Sequence, residues 1–498
     1  MRTLITPELM LACEGAHFAR TGEASVDYME RAARAIADIA LARFPEARRV
    51  YIACGPGGNG GDGYACARML HEAGINVALF PAAEARSPDA RRSADRAQEM
   101  NIPFAAGGDP LPAPDMWIDA LYGTGLSRAP EGAAQRLIER MNAERARGAR
   151  ILAADIPSGL NGTTGRAFSP AVHADVTAAL QYEKIGYYLE DGFDHCGEIV
   201  CADVGFPRSA FPSMLPRLMQ PRDLRALFAP RPRNLHKGRC GQLLIAAGSF
   251  GMAGAAALCA RAALRSGAGL VSVACPRSIV PILQALAPCA TCVPLPETDG
   301  AIAPEAADVL REALQGKSAA VIGCGLSRRA APAALRAVLE SGVPAVIDAD
   351  GLNLLSAHPE LRALLGARHI LTPHPGEAAR LLGRPCEDAL IDAKALAETG
   401  ATVVLKGAGR VICGGGEVLL SASGGCAMAR GGSGDVLSGI LGALLAEGSS
   451  RTPAQTAAAA CEIHGLCGER MQRRYGARAA NAADLLEFLP EVFMEYVD

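Results

Sequence analysis

The fold class is decided by residues 49–73, which read RVYIACGPGGNGGDGYACARMLHEA. The apolar run Arg49–Cys54 predicts a buried strand, and Tyr64–Ala73 predicts a helix. Six of the ten residues 54–63 are glycine, which tolerates positive φ and lets a ligand approach the backbone. A strand that passes through glycines into a helix is typical of a parallel sheet covered by helices.

The same alternation of apolar runs and helical patterns continues along the chain. Further strands are predicted at 75–80, 116–121, 151–154, 175–180, 198–203, 242–247, 270–274, 319–323, 345–348, 369–371 and 402–405. Helices are predicted at 90–100, 133–147, 434–447 and 453–473, and a hairpin at 411–420. This rhythm predicts α/β domains with helices on both faces of each sheet.

The length of 498 residues predicts at least two domains. Residues 206–239 hold six prolines and a single acidic residue, Asp223, which is typical of a linker with one short helix at 222–228. We therefore expect one domain over residues 1–220 and a second over residues 221–498.

The formal net charge of −3 argues against a nucleic-acid or anionic-membrane partner. Residues 240–260 are uncharged but rich in small residues, so a strand, a glycine turn and a helix are expected there rather than a membrane span. Most of the 16 cysteines stand singly in apolar runs, as buried thiols do. We therefore expect a reducing, cytoplasmic location.

Three predicted strands end in polar or glycine-rich segments. These segments are 54–63, Asp119–Leu126 and Asp155–Leu160. In open α/β sheets ligands bind beyond the carboxyl ends of the strands, so Asn59, Asp119, Asp155 and Ser158 are expected to converge. Their oxygens suit a hard cation, and a carboxylate there suits acid or base chemistry. The competing interpretations are a tight strand–helix turn and simple helix caps.

These three segments resemble the NAD(P)H-hydrate epimerase family, over about residues 1–215. The resemblance implies a K⁺ ion held by Asn59, Asp119 and Ser158, with Asp155 as the catalytic acid or base. It implies substrate contacts from Gly58, Asn59, Gly60, Gly61, Asp62, Gly123, Thr124, Gly125, Leu126, Ser127, Arg128, Ala129 and Asp155. Two positions depart from the family pattern, since Gly58 replaces an asparagine and Thr163 replaces an aspartate.

The strongest motif of the second half is Gly431-Gly-Ser-Gly-Asp435, which opens the helix predicted through Glu447. Consecutive glycines before a helix present backbone N–H groups to an anion. Asp435 would repel a phosphate there, which makes sense if it takes a proton from an attacking hydroxyl during phosphoryl transfer. His374 lies between two prolines on a stiff loop. A plain helix cap and an incidental histidine are the alternatives.

The ordered set of motifs resembles the ribokinase-like superfamily and, within it, ADP-dependent NAD(P)H-hydrate dehydratase, over about residues 225–498. The motifs are His236-Lys-Gly, Gly251-Met-Ala-Gly-Ala255, Gly323-Cys-Gly-Leu326, Thr372-Pro-His-Pro-Gly-Glu377, Leu405-Lys-Gly407 and Gly431–Asp435. The resemblance implies substrate contacts from Ala255, Gly325, His374 and Asp435. It implies nucleotide contacts from Lys406, Gly407, Ala408, Gly409, Arg410 and Gly434. Arg410 and the run Gly425–Arg430 depart from the family pattern.

Together the resemblances imply two three-layer α/β/α domains, the first Rossmann-like and the second ribokinase-like. They imply a bifunctional enzyme that interconverts the R and S hydrates NADHX and NADPHX. They also imply dehydration of the S form while ADP, with Mg²⁺, is split into AMP and phosphate. A homo-oligomer is expected. The alternatives are a ribokinase-like kinase for a sugar or vitamin alcohol, and a first domain that only binds nucleotides.

Overall fold

The computed structural model describes residues 1–106, 109 and 111–498. The chain divides into two compact units. One unit is Thr3–Pro216, and the other comprises Met1–Arg2 with Arg217–Asp498. Each is described on its own below.

The first unit is built on a parallel sheet. Its strands are β1 (Arg2–Ile5), β2 (Arg49–Cys54), β3 (Asn76–Pro81), β4 (Met116–Ala120), β5 (Arg150–Ala154), β6 (Val176–Leu180), β7 (Glu183–Lys184) and β8 (Glu198–Ala202). Its helices are α1 (Pro7–Thr21), α2 (Ser25–Arg43), α3 (Gly58–Glu72), α4 (Pro88–Glu99), α5 (Gly132–Arg145) and α6 (Gly192–His195). The main sheet has the order β3-β2-β4-β5-β6-β8, and all its neighbouring strands are parallel.

Both faces of this sheet are buried. On one face Trp117 of β4 packs against Phe80 of β3 and Tyr51 of β2, with ring centroids 4.9 and 5.3 Å apart. Ile52 and Ile118 point to the opposite face, where they are buried with residues of α2 and α3. Successive strand residues point to opposite faces, so near-continuous apolar runs produce a sheet covered on both sides.

The order of the strands indicates where a ligand crevice lies. The chain runs from β2 to β3 on one side and then returns to β4 on the other side of β2. In open α/β sheets ligands bind at such a reversal, outside the carboxyl ends of the strands. The end of β2, which leads into α3, and the end of β4, at Asp119, therefore border the same crevice.

The start of α3 differs from the prediction. The sequence pattern places the helix at Tyr64, but α3 begins at Gly58 and includes Gly60 and Gly61. Glycine lowers helix propensity, which is why the pattern excludes these residues. A Cβ on Gly60 would lie only 1.8 Å from the carbonyl oxygen of Gly55, so close packing requires glycine here. The predicted substrate loop is therefore the first turns of a helix.

The second unit repeats the architecture. Its strands are β9 (Arg217–Met219), β10 (Gln242–Ala246), β11 (Leu270–Pro276), β12 (Thr291–Leu295), β13 (Glu297–Thr298), β14 (Ala301–Ile302), β15 (Ala319–Ile322), β16 (Ala345–Ile347), β17 (His369–Leu371), β18 (Thr402–Leu405), β19 (Arg410–Gly414) and β20 (Glu417–Ser421). Its helices are α7 (Pro221–Leu227), α8 (Ala253–Arg265), α9 (Val280–Leu286), α10 (Ala306–Leu314), α11 (Pro332–Glu340), α12 (Asp350–Ala357), α13 (Pro375–Leu382), α14 (Ala389–Ala397), α15 (Ser433–Ala446), α16 (Pro453–Ala479) and α17 (Leu485–Tyr496).

In its main sheet, too, the order in which the chain adds strands reverses once. The order is β12-β11-β10-β15-β16-β17-β18-β19-β20-β9, with parallel pairing from β12 to β18 and an antiparallel β18-β19-β20 meander. The reversal lies between β10 and β15, so the segments after these strands border the crevice. The uncharged run 240–260 forms β10, a turn and the start of α8, as predicted.

Helix α15 lies in the core of this unit, where Val436, Ile440 and Leu441 are fully buried. A Cβ on Gly439 would lie 2.2 Å from the carbonyl oxygen of Cys259, so glycine is needed for α15 to approach α8 closely. This packing holds the amino end of α15, with Asp435 in its first turn, at one edge of the sheet.

Candidate active sites

In the first unit, Asp119 and Ser158 are joined by two hydrogen bonds at the ends of β4 and β5. Ser158 Oγ donates to Asp119 Oδ1 over 2.7 Å, and the Ser158 N–H donates to Oδ2, also over 2.7 Å. Ser158 Oγ in turn accepts the N–H of Tyr122 at 2.9 Å. Burial raises the pKa of Asp119 to about 6, although the hydrogen bonds from Ser158 and Leu121 oppose this shift.

Asn59 lies against the same segment. A Cβ on Gly123 would be 3.4 Å from both Cγ and Oδ1 of Asn59, so these two residues are immediate neighbours. The Asn59 amide nitrogen is buried and has no hydrogen-bond partner among the described residues. Asn59, Asp119 and Ser158 thus line one crevice. In the described part of the chain, the nearby lysine, Lys184, pairs with Asp155, and the buried Asp119 carboxylate forms no ion pair. Their oxygen-rich chemistry fits a monovalent cation.

Asp155 follows β5 and is buried, with a positive φ of 64°. Its Oδ1 accepts a hydrogen bond from the Leu180 N–H at 3.0 Å and pairs with the buried ammonium of Lys184. Lys184 Nζ also donates to the Leu180 carbonyl oxygen at 3.0 Å. The Tyr187 hydroxyl donates to the Asp155 backbone carbonyl. The carboxylate therefore has one fixed orientation, as a catalytic acid or base needs.

Sequence reasoning missed Glu14, which α1 brings to this centre. Burial and the Asp155 carboxylate raise the pKa of Glu14 to about 7, while Lys184 opposes the shift. Burial, Asp155 and Glu14 also raise the pKa of Asp62 well above its usual range. Glu14 and Asp62 therefore lie close enough to interact electrostatically with the Asp155 carboxylate that pairs with Lys184. Glu14 stands alone in an ordinary helical pattern, so nothing local in the sequence identifies it.

The remaining predicted contacts of this unit are placed as follows. Residues 123–129 run from β4 toward α5, and the Leu126 N–H donates to the Gly123 carbonyl at 3.4 Å. Among the described residues, no hydrogen bond joins the side chains of Ser127 or Arg128 to these carboxylates. A Cβ on Gly58 would meet nothing within 4 Å, so close packing does not require glycine at this position. Thr163 donates to Glu8 over 2.8 Å.

In the second unit, Asp348 connects two predicted motifs. Its Oδ1 accepts a hydrogen bond from Lys406 Nζ at 2.8 Å, and its Oδ2 accepts one from Ser438 Oγ of α15 at 2.7 Å. Burial opposes ionisation of Asp348, but the Lys406 ammonium and these hydrogen bonds outweigh it and hold its pKa below the usual value. The carboxylates of Asp348 and Glu377 outweigh burial and raise the pKa of Lys406.

Asp435 and Gly434 lie beside this pair. A Cβ on Gly434 would be 3.5 Å from Lys406 Nζ and 3.6 Å from Asp348 Oδ2. Burial and the Asp348 carboxylate raise the pKa of Asp435 to about 6, against a hydrogen bond from Cys324 and the charge of Lys406. Gly432, with φ 94°, precedes the helix in a conformation that favours glycine. A carboxyl group that titrates near neutrality suits proton transfer.

Ala255 and Gly325 are neighbours across the crevice. A Cβ on Gly325 would lie 2.8 Å from that of Ala255, and Gly325 has φ 60°. His374 caps α13, since its Nδ1 accepts the N–H of Gly376 at 3.0 Å. His374 is about half exposed, and Glu377 of the same helix lies 4.0 Å from Lys406 Nζ. The predicted substrate residues therefore lie at one edge of the sheet.

Two arginines at the positions that depart from the family pattern have protein partners. Arg410 donates to the Ser423 carbonyl at 2.7 Å and is buried. Arg430 donates to the Ala477 carbonyl at 2.9 Å. The sequence analysis assigns no role to Asp348, the last residue of a predicted strand, or to Glu377, the last residue of a motif. Their position after a strand and within a Pro-His-Pro turn was the available clue.

Within the described residues, no group of three or more His, Cys, Asp or Glu side chains is arranged to hold a metal ion. Over the same residues, none of the helices has both the length and the apolar character of a membrane span.

Comparison with known proteins identifies the family. The family model for NAD(P)H-hydrate dehydratase matches residues 243–491, and that for the YjeF-related protein N-terminus matches residues 25–186. The bifunctional NAD(P)H-hydrate repair enzyme Nnr of Coxiella burnetii is 35% identical over 481 residues, covering 94% of this chain and 95% of that protein. The Moorella thermoacetica enzyme of the same name is 38% identical, covering 89% and 87%.

Among solved structures, a ribokinase-like superfamily protein from Enterococcus faecalis is similar at a TM-score of 0.50 and 25% identity. The match covers 57% of this chain and 96% of that one. The predicted pair of α/β/α domains, one of them ribokinase-like, is confirmed. The chain belongs to the family of bifunctional NAD(P)H-hydrate repair enzymes.

Proposed function

We propose that residues 1–220 interconvert the R and S hydrates of NADH and NADPH. Residues 221–498 then dehydrate the S hydrate while splitting ADP into AMP and phosphate. The observation that carries the proposal is the placement of Asp435, with its pKa raised to about 6, beside Lys406 and Gly434 at the start of a helix. For the first unit, the proposed epimerase activity is supported by the buried Asp155–Lys184 ion pair, because Asp155 lies at the carboxyl end of β5.

The proposed dehydration begins at Asp435. Its carboxylate takes the proton of the ring hydroxyl, and the oxygen attacks the β-phosphorus of ADP, so that AMP leaves. The phosphorylated oxygen then departs as phosphate while the ring loses a proton, which restores the double bond. The charge that develops on phosphate oxygens is stabilised by Lys406 and by backbone N–H groups at the start of α15.

The nucleotide and substrate contacts follow the motifs. We assign Lys406, Gly407, Ala408, Gly409, Arg410 and Gly434 to ADP. Arg410 contributes through its backbone and by shaping β19, because its guanidinium is bound to Ser423. Ala255, Gly325, His374 and Asp435 are assigned to the hydrated nicotinamide. Mg²⁺ would enter with the diphosphate, whose oxygens are its preferred ligands, and would neutralise phosphate charge.

In the proposed epimerase, Asp155 transfers the proton. Protonation of the ring hydroxyl lets it leave as water. Water then adds to the opposite face, and Asp155 takes back one proton from it, which gives the other epimer. The residues that would hold K⁺ are Asn59, Asp119 and Ser158, and the ion would supply positive charge beside the substrate. Lys184 orients the Asp155 carboxylate, and the helix start at 58–60 presents free N–H groups to substrate phosphate.

Location and assembly are part of the proposal. A cytoplasmic homo-oligomer would place the enzyme with its dinucleotide substrates, and light scattering of the full chain tests the assembly. A small-molecule kinase is the less favoured function, because relatives that cover nearly the whole chain are named as repair enzymes.

The test is an absorbance assay at the reduced-nicotinamide band with mixed R and S hydrates. With ADP, Mg²⁺ and K⁺, we expect complete recovery of NADH, whereas the Asp155→Asn variant should recover only the S fraction quickly. Without ADP no NADH should form. Turnover of ADP that depends on an added alcohol, and not on the hydrate, would instead identify a kinase.

A further inference from the structure

We propose that a second cavity in the dehydratase unit, beside the proposed nicotinamide site, binds a phosphate group of the hydrated dinucleotide. The cavity measures about 730 Å³ and is bordered by Arg328, Arg329 and Arg380. The inference rests on the proposed function, because it names where that substrate continues beyond its nicotinamide ring.

The cavity is lined by loops and helices that start at the same sheet edge as the proposed site. Arg328 and Arg329 follow β15, three and four residues after Gly325, and Arg380 lies on α13, which starts just after β17. The Ser327 N–H donates to Asp350 Oδ2 at 2.8 Å, which ties the loop after β15 to the start of α12. Neighbouring parallel strands thus supply both the nicotinamide contacts and the arginines.

Gly376 connects the two sites. A Cβ on Gly376 would lie 2.9 Å from Cε1 of His374 and 3.9 Å from Nη1 of Arg380. The side chains of His374 and Arg380 therefore lie close together over this glycine. A substrate that contacts His374 would have the Arg380 guanidinium, which borders the cavity, as a near neighbour.

The charges of the cavity are unbalanced. Of its lining residues in the described part of the chain, none is Asp or Glu, whereas three are Arg and one is His358. Arg328 and Arg329 are exposed, and neither forms an ion pair with a described residue. The nearby Asp350 is already occupied, because it accepts hydrogen bonds from the Ser327 N–H and from Asn353.

Arg380 is held in place by the same network. Asn353 Nδ2 donates to Asp350 Oδ1 at 3.0 Å, and Asn353 Oδ1 accepts from Arg380 Nε at 3.1 Å. This bond orients the guanidinium and leaves its terminal nitrogens for a ligand. Guanidinium groups bind phosphate through paired hydrogen bonds, and a fixed guanidinium loses less entropy on binding.

The substrate supplies two phosphate sources. Every hydrated dinucleotide carries a pyrophosphate between its two nucleosides, and NADPHX carries a further phosphate on the adenosine ribose. A volume of about 730 Å³ lies within the range of small-molecule sites. The residues proposed for ADP, 406–410 and 434, do not line the cavity.

The test measures dehydratase KM and kcat for S-NADHX and S-NADPHX with Arg328→Gln/Arg329→Gln and with Arg380→Gln. Loss of charge-assisted hydrogen bonds should raise KM about tenfold or more with kcat little changed. A rise for both substrates assigns the pyrophosphate, and a rise for NADPHX alone assigns the ribose phosphate. A KM within about twofold of wild type for both substrates, in folded variants, overturns the inference.

The matched control is Arg311→Gln/Arg336→Gln, which removes two arginines of α10 and α11 that are paired with acidic neighbours and do not line the cavity. It should leave both KM values unchanged. If the glutamine variants unfold, KM of the wild-type enzyme is measured at NaCl concentrations between ~0.05 and ~0.3 M. KM should rise with NaCl, and a KM that does not change overturns the inference. A wild-type enzyme that forms neither NADH from S-NADHX nor NADPH from S-NADPHX refutes the proposed function itself.

Discussion

Lys406 donates a hydrogen bond to Asp348 over 2.8 Å, and this bond joins the ends of β18 and β16. Asp348 also accepts a hydrogen bond from Ser438, one turn after Asp435 in α15. A single carboxylate thus aligns the proposed phosphate-binding ammonium with the helix that carries the proposed base. The pair is a positioning device, because the role of Asp348 is exerted through Lys406 and α15.

Asp348→Asn should therefore impair both folding and dehydration. Removal of one member of a buried pair leaves the other uncompensated, which typically destabilises by on the order of 3 kcal/mol. Calorimetry of the full chain should show a lower melting temperature for the second unit. The dehydratase kcat/KM should fall about 100-fold or more, since Lys406 loses its orientation. R–S exchange by the first unit serves as an internal control and should be unchanged.

The double variant Asp348→Asn/Lys406→Met separates these effects. It removes the stranded charge, so part of the lost melting temperature should return, while dehydration should remain as slow as in the single variant. A double variant less stable than either single variant would contradict the positioning role.

The pH profile of dehydration should report Asp435. Its pKa is raised to about 6, so the base is protonated and inactive at pH 5 and ionised at pH 7.5. With S-NADHX and ADP, kcat/KM should fall about tenfold for each pH unit below 6. Asp435→Asn should lose about 1,000-fold or more of the rate at pH 7.5 and lose this acidic limb. Nucleotide binding measured by calorimetry should survive the substitution.

The same carboxyl group should lower stability at neutral pH. Its folded pKa of about 6 lies above the usual 3.8, so the folded state binds the proton more tightly than the unfolded chain does. This contribution is complete below pH 3.8 and is lost as the pH rises through 6. Asp435→Asn should therefore raise the melting temperature at pH 7.5, with a stabilisation of about 1–3 kcal/mol. No gain should appear at pH 3.5, and an equal gain at both pH values would contradict this origin.

The sequence allowed the strand ends to be located, because buried parallel strands appear as continuous apolar runs and ligand sites follow their carboxyl ends. This rule is why Asp119, Asp155 and Ser158 could be proposed together. It could not reveal Glu14, which reaches Asp155 only because α1 packs across the unit. The pairing of Asp348 with Lys406 likewise depends on two strands 58 residues apart in the chain lying close together in the sheet. The helical start at Gly58 was missed because packing overrode glycine's low helix propensity.

Asp155→Asn should stop R–S exchange and leave dehydration of pure S hydrate intact. The exchange rate, followed by separation of the two epimers, should fall about 1,000-fold, as expected for loss of a general acid or base. Lys184→Met tests orientation, because its ammonium is bound to Asp155 in the buried interior. We expect a smaller fall in rate and a shifted pH profile for that variant. A normal exchange rate in Asp155→Asn would refute the catalytic assignment.

The proposed K⁺ site makes a prediction about stability as well as rate. Burial raises the pKa of Asp119 to about 6, and a bound cation would lower it, so binding should release a proton and strengthen as the pH rises above 6. At pH 7.5, KCl should raise the melting temperature of the first unit more than LiCl does at equal ionic strength, and should also speed R–S exchange. Ser158→Ala removes one proposed ligand and should abolish both K⁺ effects. Ser213→Ala, an exposed serine of the same unit, is the matched control and should retain them. Equal responses to K⁺ and Li⁺ in the wild-type protein would show that Asn59, Asp119 and Ser158 form a hydrogen-bonded crevice without a specific cation.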